Sequence, residues 1–591
     1  MCKIIKYGCY SFIILFAGIV FQIYLNYPVD RIENYHTNKD NKNIENNKEI
    51  YDYIVIGSGS SGTVVASRLS ENSNLKVLLL EAGGSDSEIK IHIPVLLAEL
   101  QGTDVDWAYS STLQIHSKYR HLFMPRGKVI GGSSSLNAML YVRGTPRDYD
   151  NWESLGHKGW GWKDVFPYYK KLEHHLNPRG NQTYYGDSGN VKISINNGLD
   201  YVSQLLYKAF KTLYKVQEID DFNTIDKPVE GISLADATIH NGKRYGVADA
   251  YLNKEVLERK NLFVRIHAQV KRILFDDSKR AIGVEVYYSN HNITDTIYVN
   301  KEIICSAGAI NTPQLLQLSG IGDTKMLKKL KINIVHDNEQ VGENLQDHPY
   351  LSNMFQLNKP LSLHFYRNFP YDVIAILQWL LFRSGPLSNS VITNIGYFHS
   401  NINKKEKENM EWPDMQYLSS SALIRKPEVD NYDHIENGGY TAFSVLLNPK
   451  SRGYVTLASA DFTDYPRIDP NLFGNKDDLY KMVEAYKRFR NLPNQSPELK
   501  EITKGAFHPE GGEIKTDHDI EEHIKKFTDL LYHPVGTCSM GTVVDEKLRL
   551  KGVNGLRIVD ASIMPQIIRG NTNAACIMIG EKAADMILND K

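Results

Sequence analysis

Short apolar runs separated by glycine-rich turns set the pattern of the body of the chain. The run Tyr51–Ile56 is apolar at most positions, as expected of a strand buried on both faces. A helical pattern carrying Val64, Val65 and Leu69 follows it, and then a second apolar run, Lys76–Leu80. Strand, glycine turn, helix and strand in this order predict the βαβ start of a parallel sheet.

Two apolar runs far along the chain resemble these first strands. Glu302–Ser306 and Leu556–Val559 are short and rich in aliphatic side chains. We expect both to join the first sheet, which would make its domain discontinuous in sequence. The aromatic-rich, irregular segments 155–240 and 345–525 would cover that domain and shape a substrate cavity.

Two further apolar segments predict helices. Tyr371–Phe382 is too short to cross a bilayer. It fits a helix buried against the covering domain, or a helix at the mouth of a substrate cavity. Near the end of the chain, a stripe with helical spacing begins just after Asn571. The stripe consists of Ala574, Ile577, Met578, Ala584, Ile587 and Leu588.

The N-terminal segment has the pattern of a targeting signal. Lys3 and Lys6 precede the apolar stretch Gly8–Leu25, which lacks a clear small-residue cleavage site. Residues 1–26 therefore predict either a cleaved signal peptide or an uncleaved anchor, with the body secreted or held on the outer side. The polar segment 27–49 predicts a linker. Three glycosylation triplets, at Asn181, Asn292 and Asn494, fit the secretory route.

Composition narrows the class of protein. A length of 591 residues predicts two domains or one elaborated domain. The net charge of −1 gives no reason to expect nucleic acid as a partner. The charged run Lys404–Glu408 predicts a solvated loop. Because Cys305, Cys538 and Cys576 are scattered, and Cys2 and Cys9 lie in the leader, no disulfide framework is expected and no metal spacing is evident.

The first glycine turn carries the chemistry of a dinucleotide site. Gly57, Ser58, Gly59, Ser60, Ser61 and Gly62 lie between the predicted strand and helix. Glycine permits the tight turn and the close approach of a pyrophosphate, which the helix N-terminus then holds. Glu81 ends the second strand, where a carboxylate accepts hydrogen bonds from an adenosine ribose. This motif alone leaves both NAD and FAD open.

Five blocks spread along the chain resemble the glucose–methanol–choline (GMC) oxidoreductase family, in the family's order. The blocks are Gly57–Gly62 with Glu81–Gly84, Pro125–Asn137, Gly308–Gly322, Val341–Pro349 and His533–Ile587. The resemblance implies an α/β fold: a discontinuous Rossmann-like FAD-binding domain and a substrate domain built on an antiparallel sheet and helices. We expect the first domain to comprise 50–154, 241–344 and 526–591, and the second 155–240 and 345–525.

The resemblance also implies FAD as the cofactor and indicates which residues contact it. Besides the first turn and Glu81, these are Ala82, Arg126, Gly131, Gly132, Ser133, Asn137, Val270, Asp560, Ala561, Thr572 and Asn573. Members that attach FAD covalently through the second loop carry histidine before the asparagine. This chain has Leu136 there, so we expect the flavin to be non-covalent. The positive end of the C-terminal helix would face the flavin pyrimidine and raise its potential.

A catalytic pair is expected at His533 and Asn571. Alcohol oxidation needs a group that takes the hydroxyl proton near neutral pH, a task suited to histidine. His533 matches the family's catalytic histidine. Asn571 matches a position where many fungal members carry a second histidine, and where choline and cholesterol oxidases carry asparagine. Since asparagine can orient the oxygen but cannot take a proton, His533 is the base of the pair.

These features favour an FAD-dependent alcohol or sugar dehydrogenase. In His533–Gly541 and Asp560–Pro565 the chain is most similar to the insect glucose dehydrogenase branch, which implies glucose as substrate and a quinone as electron acceptor. Alternatives are an oxidase that makes hydrogen peroxide, a hydroxynitrile lyase on the same scaffold, and a binding protein without activity. Retention of both His533 and Asn571 argues against the last. Contact with a membrane is expected only through the N-terminal segment.

Overall fold

The computed structural model describes residues 44–45, 48–196, 200–400, 412–424, 435–507, 514 and 516–590. The predicted signal or anchor (1–26), most of the predicted linker and the charged run Lys404–Glu408 lie outside these residues. The end of the linker differs from the prediction, because Ile44–Glu45 pairs with the start of the strand Lys48–Ile56.

Eight described strands form the first sheet. Its parallel centre has the order Leu262–Arg265, Val77–Leu80, Lys48–Ile56 and Ile293–Cys305, and Leu556–Ile558 pairs in parallel with the last of these. The antiparallel strands Ala281–Tyr288 and Ala268–Phe275 extend the sheet beyond Ile293–Cys305. The predicted joining of distant strands into one sheet is therefore confirmed.

The strand Ile293–Cys305 explains how segments from three parts of the chain share one sheet. Its first half pairs antiparallel with Ala281–Tyr288, whereas its last three residues pair in parallel with Leu556–Ile558. Along its other edge it pairs with Lys48–Ile56. The expected strand at 302–306 is thus the end of a much longer one.

Helices cover this sheet where the chain leaves the strands. Gly62–Leu69 follows the first strand, Gly308–Leu318 follows the long strand, and Asn573–Asn589 packs against Gly62–Leu69. The predicted C-terminal stripe is buried except for Leu588. Other described α-helices are Ile89–His92, Pro146–Ser154, Trp162–Leu172, Val247–Tyr251, Lys254–Leu257, Thr324–Lys329 and Pro497–Ile502.

The second sheet is mainly antiparallel. Its order is Thr503–Ala506, Pro349–Leu357, Gly439–Leu446, Met415–Ser420, Asn394–Phe398, Gly231–Leu234 and Gln217–Glu218, with Asp529–Leu530 paired to Pro349–Leu357. The helices Tyr201–Tyr214, Lys476–Phe489 and Asp517–Phe527 accompany it. Together the two sheets confirm the predicted α/β fold with a second, antiparallel domain. The boundaries of the two domains stay a prediction, and Asp529–Leu530 pairs in the second sheet although it falls in the segment expected for the first.

Short elements complete the described chain. The small strand groups are Tyr109–Ser110 with Phe123–Met124, Glu173–His175 with Val191–Ile195 and Asp236–Ala237, Ile239–His240 with Lys243–Arg244, Ile321–Gly322 with His336–Asp337, and Tyr454–Thr456 with Arg467–Asp469. The 3-10 turns are Pro94–Leu100, Gly132–Ser135, Gln182–Tyr184, Phe222–Thr224, Leu363–Arg367, Pro386–Ser388, Leu492–Gln495 and Ala561–Ile563.

The apolar helix Tyr371–Phe382 forms where the sequence predicts it, but it is not buried against the second domain. Only Ala375 and Trp379 of its residues are buried. Asp372, Ala375 and Ile376 line a large cavity, so the alternative interpretation, a helix at the cavity mouth, is the one that the structure supports. Within the described residues, no helix combines the length and apolar character that a bilayer crossing requires.

Candidate active site

The first glycine turn is shaped by contacts that exclude side chains. Gly57 has φ +94°, and a Cβ there would lie 2.5 Å from the carbonyl oxygen of Ser306. A Cβ on Gly62 would lie 2.0 Å from the carbonyl oxygen of Gly57. At Gly59, by contrast, no described atom lies within 4 Å of the Cβ position, which opens to the cavity. Two glycines therefore make the turn, and the third leaves room for a ligand.

Glu81 lies beside this turn at the end of Val77–Leu80. Its carboxylate accepts hydrogen bonds from the amide and hydroxyl of Ser58, at 2.9 Å and 2.7 Å, and from the amide of Gly83 at 2.9 Å. Burial raises the pKa of Glu81, and these hydrogen bonds oppose that rise. Glu81 thus braces the turn in addition to lining the cavity where a ribose is expected, a role that the motif did not reveal.

The second glycine loop closes over the first. Gly132 has φ +54°, and a Cβ there would lie 2.6 Å from Cα of Gly59. The amide of Gly131 donates to the carbonyl of Ser58 at 3.0 Å. Asn137, which lines the cavity, accepts a hydrogen bond from the guanidinium of Arg244 at 2.9 Å. The two motifs, which are about seventy residues apart in the chain, therefore form one surface.

Arg244 is a residue that sequence reasoning missed. Its guanidinium also donates to the main-chain carbonyls of Ile91, Ser134 and Asn137. Burial lowers its pKa to about 9. Through these hydrogen bonds, Arg244 holds the second glycine loop in place. A lone arginine outside any glycine motif carried no signal that could have identified it.

Asp560 holds the start of the helix Gly308–Leu318 against the same cavity. Its carboxylate accepts from the amide of Gly308 at 2.9 Å and from the hydroxyl of Thr312 at 2.6 Å. Burial raises the pKa of Asp560, although these hydrogen bonds oppose the rise. No described atom lies within 4 Å of the Cβ position of Gly308. The helix N-terminus therefore faces open space, a feature that sequence reasoning did not assign.

A third helix, Asn573–Asn589, begins at the cavity. The side chain of Asn573 accepts from the hydroxyl of Ser60 at 2.6 Å. Thr572 occupies the cap position, so Asn571 lies one residue outside the helix and is free for another role. Together with Gly62–Leu69 and Gly308–Leu318, this helix directs partial positive charge toward the cavity.

These elements border one cavity of about 1540 Å³. Seventeen of the twenty predicted site residues line it; Ser58, Gly62 and Gly131 lie behind the surface, where they shape the turns. The opening at Gly59 and the N-terminus of Gly62–Leu69 fit the diphosphate of FAD. The individual contacts proposed for Ala82, Ser133, Val270 and Ala561 stay predictions, and so does non-covalent binding.

The predicted catalytic pair meets in this cavity. Asn571 Nδ2 lies 3.3 Å from His533 Nε2, and both residues line the cavity. Asn571 Oδ1 is buried and has no hydrogen-bond partner among the described residues. The main-chain amide of His533 donates to the carboxylate of Asp347 at 2.8 Å, which fixes the loop that carries the histidine.

A hydrogen-bond chain sets which nitrogen of His533 carries its proton. His348 Nε2 lies 3.1 Å from the carbonyl oxygen of Leu447, which can only accept, so this nitrogen carries the proton. His348 Nδ1 is then an acceptor and lies 3.0 Å from His533 Nδ1. His533 Nδ1 must therefore be the donor, which leaves a lone pair on Nε2 beside Asn571. The motif containing His348 was recognised in the sequence, but its role was not.

Burial keeps both imidazoles neutral. It lowers the pKa of His533 well below its usual value, and the nearby His348 and Arg126 lower it further. Burial also lowers the pKa of His348 to about 4, against the opposing effect of the carbonyls of Leu447 and Ile568. A neutral His533 with its lone pair on Nε2 can accept a proton at neutral pH.

Arg126 and Asp347 hold the loop that carries His533 through hydrogen bonds to its main chain. Arg126 donates to the carbonyl of Tyr532, and burial lowers the pKa of Arg126 while Asp347 raises it. Burial raises the pKa of Asp347 to about 7, although the amides of His533 and His348 and the charge of Arg126 oppose the rise. Arg126 was predicted as a cofactor ligand; it lines the cavity and also braces the catalytic loop.

Side chains packed on the antiparallel sheet form an apolar wall of the cavity. Most of these side chains belong to one hydrophobic cluster on the antiparallel sheet. The wall comprises Leu140, Tyr350, Val391, Ile392, Leu418, Ile424, Phe443 and Leu531. This end of the cavity can hold a molecule with an apolar body, while the polar pair His533 and Asn571 meets one functional group.

A separate buried cluster lies outside the cavity lining. His175, Asp221 and Asp236 bring one ligand atom each to within 4.8 Å of one another. The guanidinium of Arg179 donates to Asp236 at 2.7 Å, and the hydroxyl of Tyr185 donates to Asp221 at 2.7 Å. Protein partners therefore already engage both carboxylates.

Comparison with known proteins places the chain in one family. Models of the GMC oxidoreductase family match residues 51–350 and 449–580. The chain is 37% identical to an alcohol dehydrogenase [acceptor] of Pseudomonas putida, covering 91% of this chain and 96% of that protein. It is 36% identical to an oxygen-dependent choline dehydrogenase of Escherichia coli O157:H7, covering 91% and 94%.

A solved structure shows the same fold. A formate oxidase of Aspergillus oryzae RIB40, studied for its FAD modification, has a TM-score of 0.84 and 26% identity, covering 92% of this chain and 98% of that one. Three findings lead to the same conclusion. The two glycine loops form one surface that suits a dinucleotide, His533 and Asn571 are paired, and the family models match the chain. The chain belongs to the GMC oxidoreductase family and is an FAD-dependent oxidoreductase that acts on CH–OH groups.

Proposed function

We propose that this enzyme oxidises an alcohol with an apolar body, and that His533 is the base. One observation carries the proposal: the lone pair of His533 Nε2 and the amide of Asn571 meet beside an apolar wall, at 3.3 Å from each other. A hydroxyl placed there would donate to His533 Nε2 and accept from Asn571 Nδ2. Both contacts orient the carbon that bears the hydrogen to be removed.

The residues of the chain divide the work of proton removal. As the proton moves from the alcohol oxygen to His533 Nε2, the amide of Asn571 stabilises the developing negative charge on that oxygen. The Nδ1–H of His533 meanwhile stays hydrogen-bonded to His348 Nδ1, which keeps the imidazole ring in the orientation that turns Nε2 toward Asn571. When bound, FAD would supply the acceptor for the hydride of that carbon, so that the alcohol becomes a carbonyl compound. The two glycine turns, Asp560 and the three helix N-termini would hold it.

The positions of the carboxylates that line the cavity favour an uncharged substrate. Glu81 and Asp560 lie at the cofactor end, and Asp529 is paired with Arg120 at 2.7 Å. Glu99 and Asp372 belong to the rim. The described carboxylates thus leave the apolar wall without a carboxylate partner for a cation such as choline. An alcohol like those suggested by the name of the Pseudomonas relative fits this wall better.

Glucose is the second candidate. The resemblance of His533–Gly541 and Asp560–Pro565 to insect glucose dehydrogenases favours it, together with a quinone as electron acceptor. The apolar wall offers few partners for its many hydroxyls, which is why we place it second. An oxidase that passes the electrons to oxygen is the remaining alternative.

Anaerobic flavin bleaching separates these candidates. The purified full chain would receive a medium-chain primary alcohol, glucose or choline, followed by a quinone or oxygen. Bleaching by the alcohol and recovery of the colour by quinone would support the proposal; bleaching by glucose alone would favour the second candidate. His533→Ala should slow flavin reduction by about 10²-fold or more while FAD stays bound. If none of the three compounds bleached the flavin, all three candidate substrates would be wrong.

We also propose that the body of the protein passes through the secretory pathway. The side chains of Asn181, Asn292 and Asn494 are exposed, as glycosylation requires. Removal of N-linked glycans by an endoglycosidase should increase the mobility of protein expressed in its native cells. An unchanged mobility would contradict this location.

A further inference from the structure

The mouth of the cavity carries a patch of exposed apolar side chains, which we call the mouth patch. Each of its members is between 40% and 82% exposed. The mouth patch consists of Tyr366, Phe369, Tyr371, Val373, Ile374, Ile376, Leu381 and Phe382. Monomeric soluble proteins rarely leave so many large apolar side chains together on their surface, unless the surface meets a partner.

The helix Tyr371–Phe382 is held by one narrow face. Trp379 is buried and donates its indole N–H to the carbonyl of Gly242 at 2.8 Å, and the guanidinium of Arg383 lies 4.1 Å from its ring centroid. Ala375 is the other buried residue. Since Asp372 and Gln378 are the only polar residues in the helix, the rest of its surface presents apolar side chains outward.

The mouth patch is continuous with the entrance. Tyr366 and Ile376 belong to both the patch and the cavity lining. Across the opening, the turn Pro94–Leu100 contributes apolar side chains to the lining, and Glu99 pairs with Arg367 at 3.2 Å over the rim. The patch, the turn Pro94–Leu100 and the apolar wall therefore border the same cavity.

The chain itself favours a membrane as the surface that covers the patch. Of the two expected fates of the N-terminal segment, the uncleaved anchor would hold the body at a membrane, since the apolar stretch Gly8–Leu25 is nearly long enough to span a bilayer and the polar segment 27–43 joins it to the first described strand. A helix with an exposed apolar face can lie in the headgroup region.

We propose that the mouth patch docks on a lipid bilayer, so that apolar alcohols enter the cavity from the membrane. The substrate half of this statement rests on the proposed function; the docking half does not. Ile374 and Phe382 lie outside the cavity lining, so replacing them leaves the described catalytic residues untouched.

Two measurements test the proposal on the full chain. The first compares turnover of a long-chain alcohol held in vesicles of phosphatidylcholine and phosphatidylglycerol with turnover of a short, water-soluble alcohol. In the double variant Ile374→Ser, Phe382→Ser, kcat/KM for the vesicle-held alcohol should fall about tenfold or more, since two apolar side chains no longer insert. The value for the soluble alcohol should stay unchanged. The control variant is Ile293→Ser, at an exposed site at the start of the strand Ile293–Cys305. It should change kcat/KM for neither alcohol.

The second measurement does not depend on activity. An environment-sensitive fluorophore on Phe382→Cys should brighten and shift to the blue when the same vesicles are added, whereas one on Ile293→Cys should not. The unmodified chain, labelled in parallel, corrects for its own cysteines. If the fluorescence responds but no alcohol is oxidised, the docking stands and the proposed function fails. An unresponsive label, an equal loss on both alcohols, or a response to protein concentration without vesicles, which indicates a second copy, would each overturn the docking.

Discussion

At the scale of single residues, two glycines of the same turn have different jobs. Gly62→Ala places a Cβ 2.0 Å from a main-chain oxygen, so the turn must distort and the protein should fold poorly. Gly59→Ala meets no described atom within 4 Å, so the protein should fold but lose affinity for FAD, because the methyl group takes the space of the diphosphate. Thermal unfolding and flavin titration of both variants measure this. If Gly59→Ala bound FAD as tightly as the native protein, the predicted position of the diphosphate beside Gly59 would be wrong.

His348 is a positioning residue whose effect should be visible in the pH profile. His348→Ala removes the acceptor of the His533 Nδ1–H, so the tautomer with the lone pair on Nε2 loses its preference. We expect kcat for alcohol oxidation to fall by about 10-fold to 10²-fold while FAD stays bound. His348→Asn, which can place an oxygen near the former Nδ1, should restore part of the loss.

The acid limb of the pH profile separates this role from a structural one. Because a base works only when unprotonated, the lowered pKa of His533 keeps kcat/KM high below pH 6.5 in the native enzyme, and activity falls only at lower pH. His348→Ala removes one group that lowers this pKa, so the acid limb should move to higher pH. A variant with lower activity but an unmoved limb would show that His348 acts only through packing.

At the scale of elements, the N-terminus of the helix Asn573–Asn589 should tune the flavin. In Asn573→Asp the hydrogen bond from Ser60 can persist, since its acceptor is the side-chain oxygen, but a negative charge enters the positive end of the helix. The reduced flavin is more negative than the oxidised one, so the reduction potential should fall. Redox titration against reference dyes measures it, and an unchanged potential would contradict the proposed placement of the flavin.

A buried ion pair ties the second loop region to the second domain. Arg143 and Glu173 are 1% and 0% exposed and meet at 2.6 Å, and Arg143 also donates to the carbonyl of Asn223 at 2.9 Å. Glu173→Gln leaves the arginine charge buried without its partner, which should cost about 3–5 kcal/mol of stability. The exposed pair Lys211 and Glu218 is a matched control, since Glu218→Gln should cost about 1 kcal/mol or less. Chemical denaturation measures the free energy of unfolding of both variants. An equal loss in the two would show that the buried pair Arg143 and Glu173 contributes no more than an exposed pair.

At the scale of the whole molecule, FAD should act as part of the core between the two domains. Three helix N-termini border one cavity, and FAD bound there would bring negative charge close to their positive ends. A ligand that binds only the folded state stabilises it by about 4 kcal/mol at a concentration 1,000 times its Kd. The Tm should therefore rise with FAD concentration, and the rise should shrink in Glu81→Ala. A Tm independent of FAD would contradict this arrangement.

Much of the fold could be predicted because its signals are local. The run Tyr51–Ile56, the glycine turn and the helix after it obey rules that act within a few residues. The ends of strands were less predictable. The strand expected at 302–306 begins at Ile293, because pairing with Ala281–Tyr288 stabilises residues that the apolar pattern does not mark. The apolar composition of Tyr371–Phe382 predicts a helix, but composition alone does not tell whether its face meets a core, a cavity or a membrane.

By itself, the sequence determined the class of cofactor site and the family, and it predicted the catalytic pair, because glycine turns and catalytic side chains tolerate few substitutes at their positions. Only the tertiary structure decided how these parts act together. The proton on His533 is placed by the carbonyl of Leu447 through His348, and the exposure of the mouth patch depends on which face of its helix Trp379 buries. Hydrogen-bond direction and surface exposure arise from contacts between residues far apart in the chain, so no local pattern carries them.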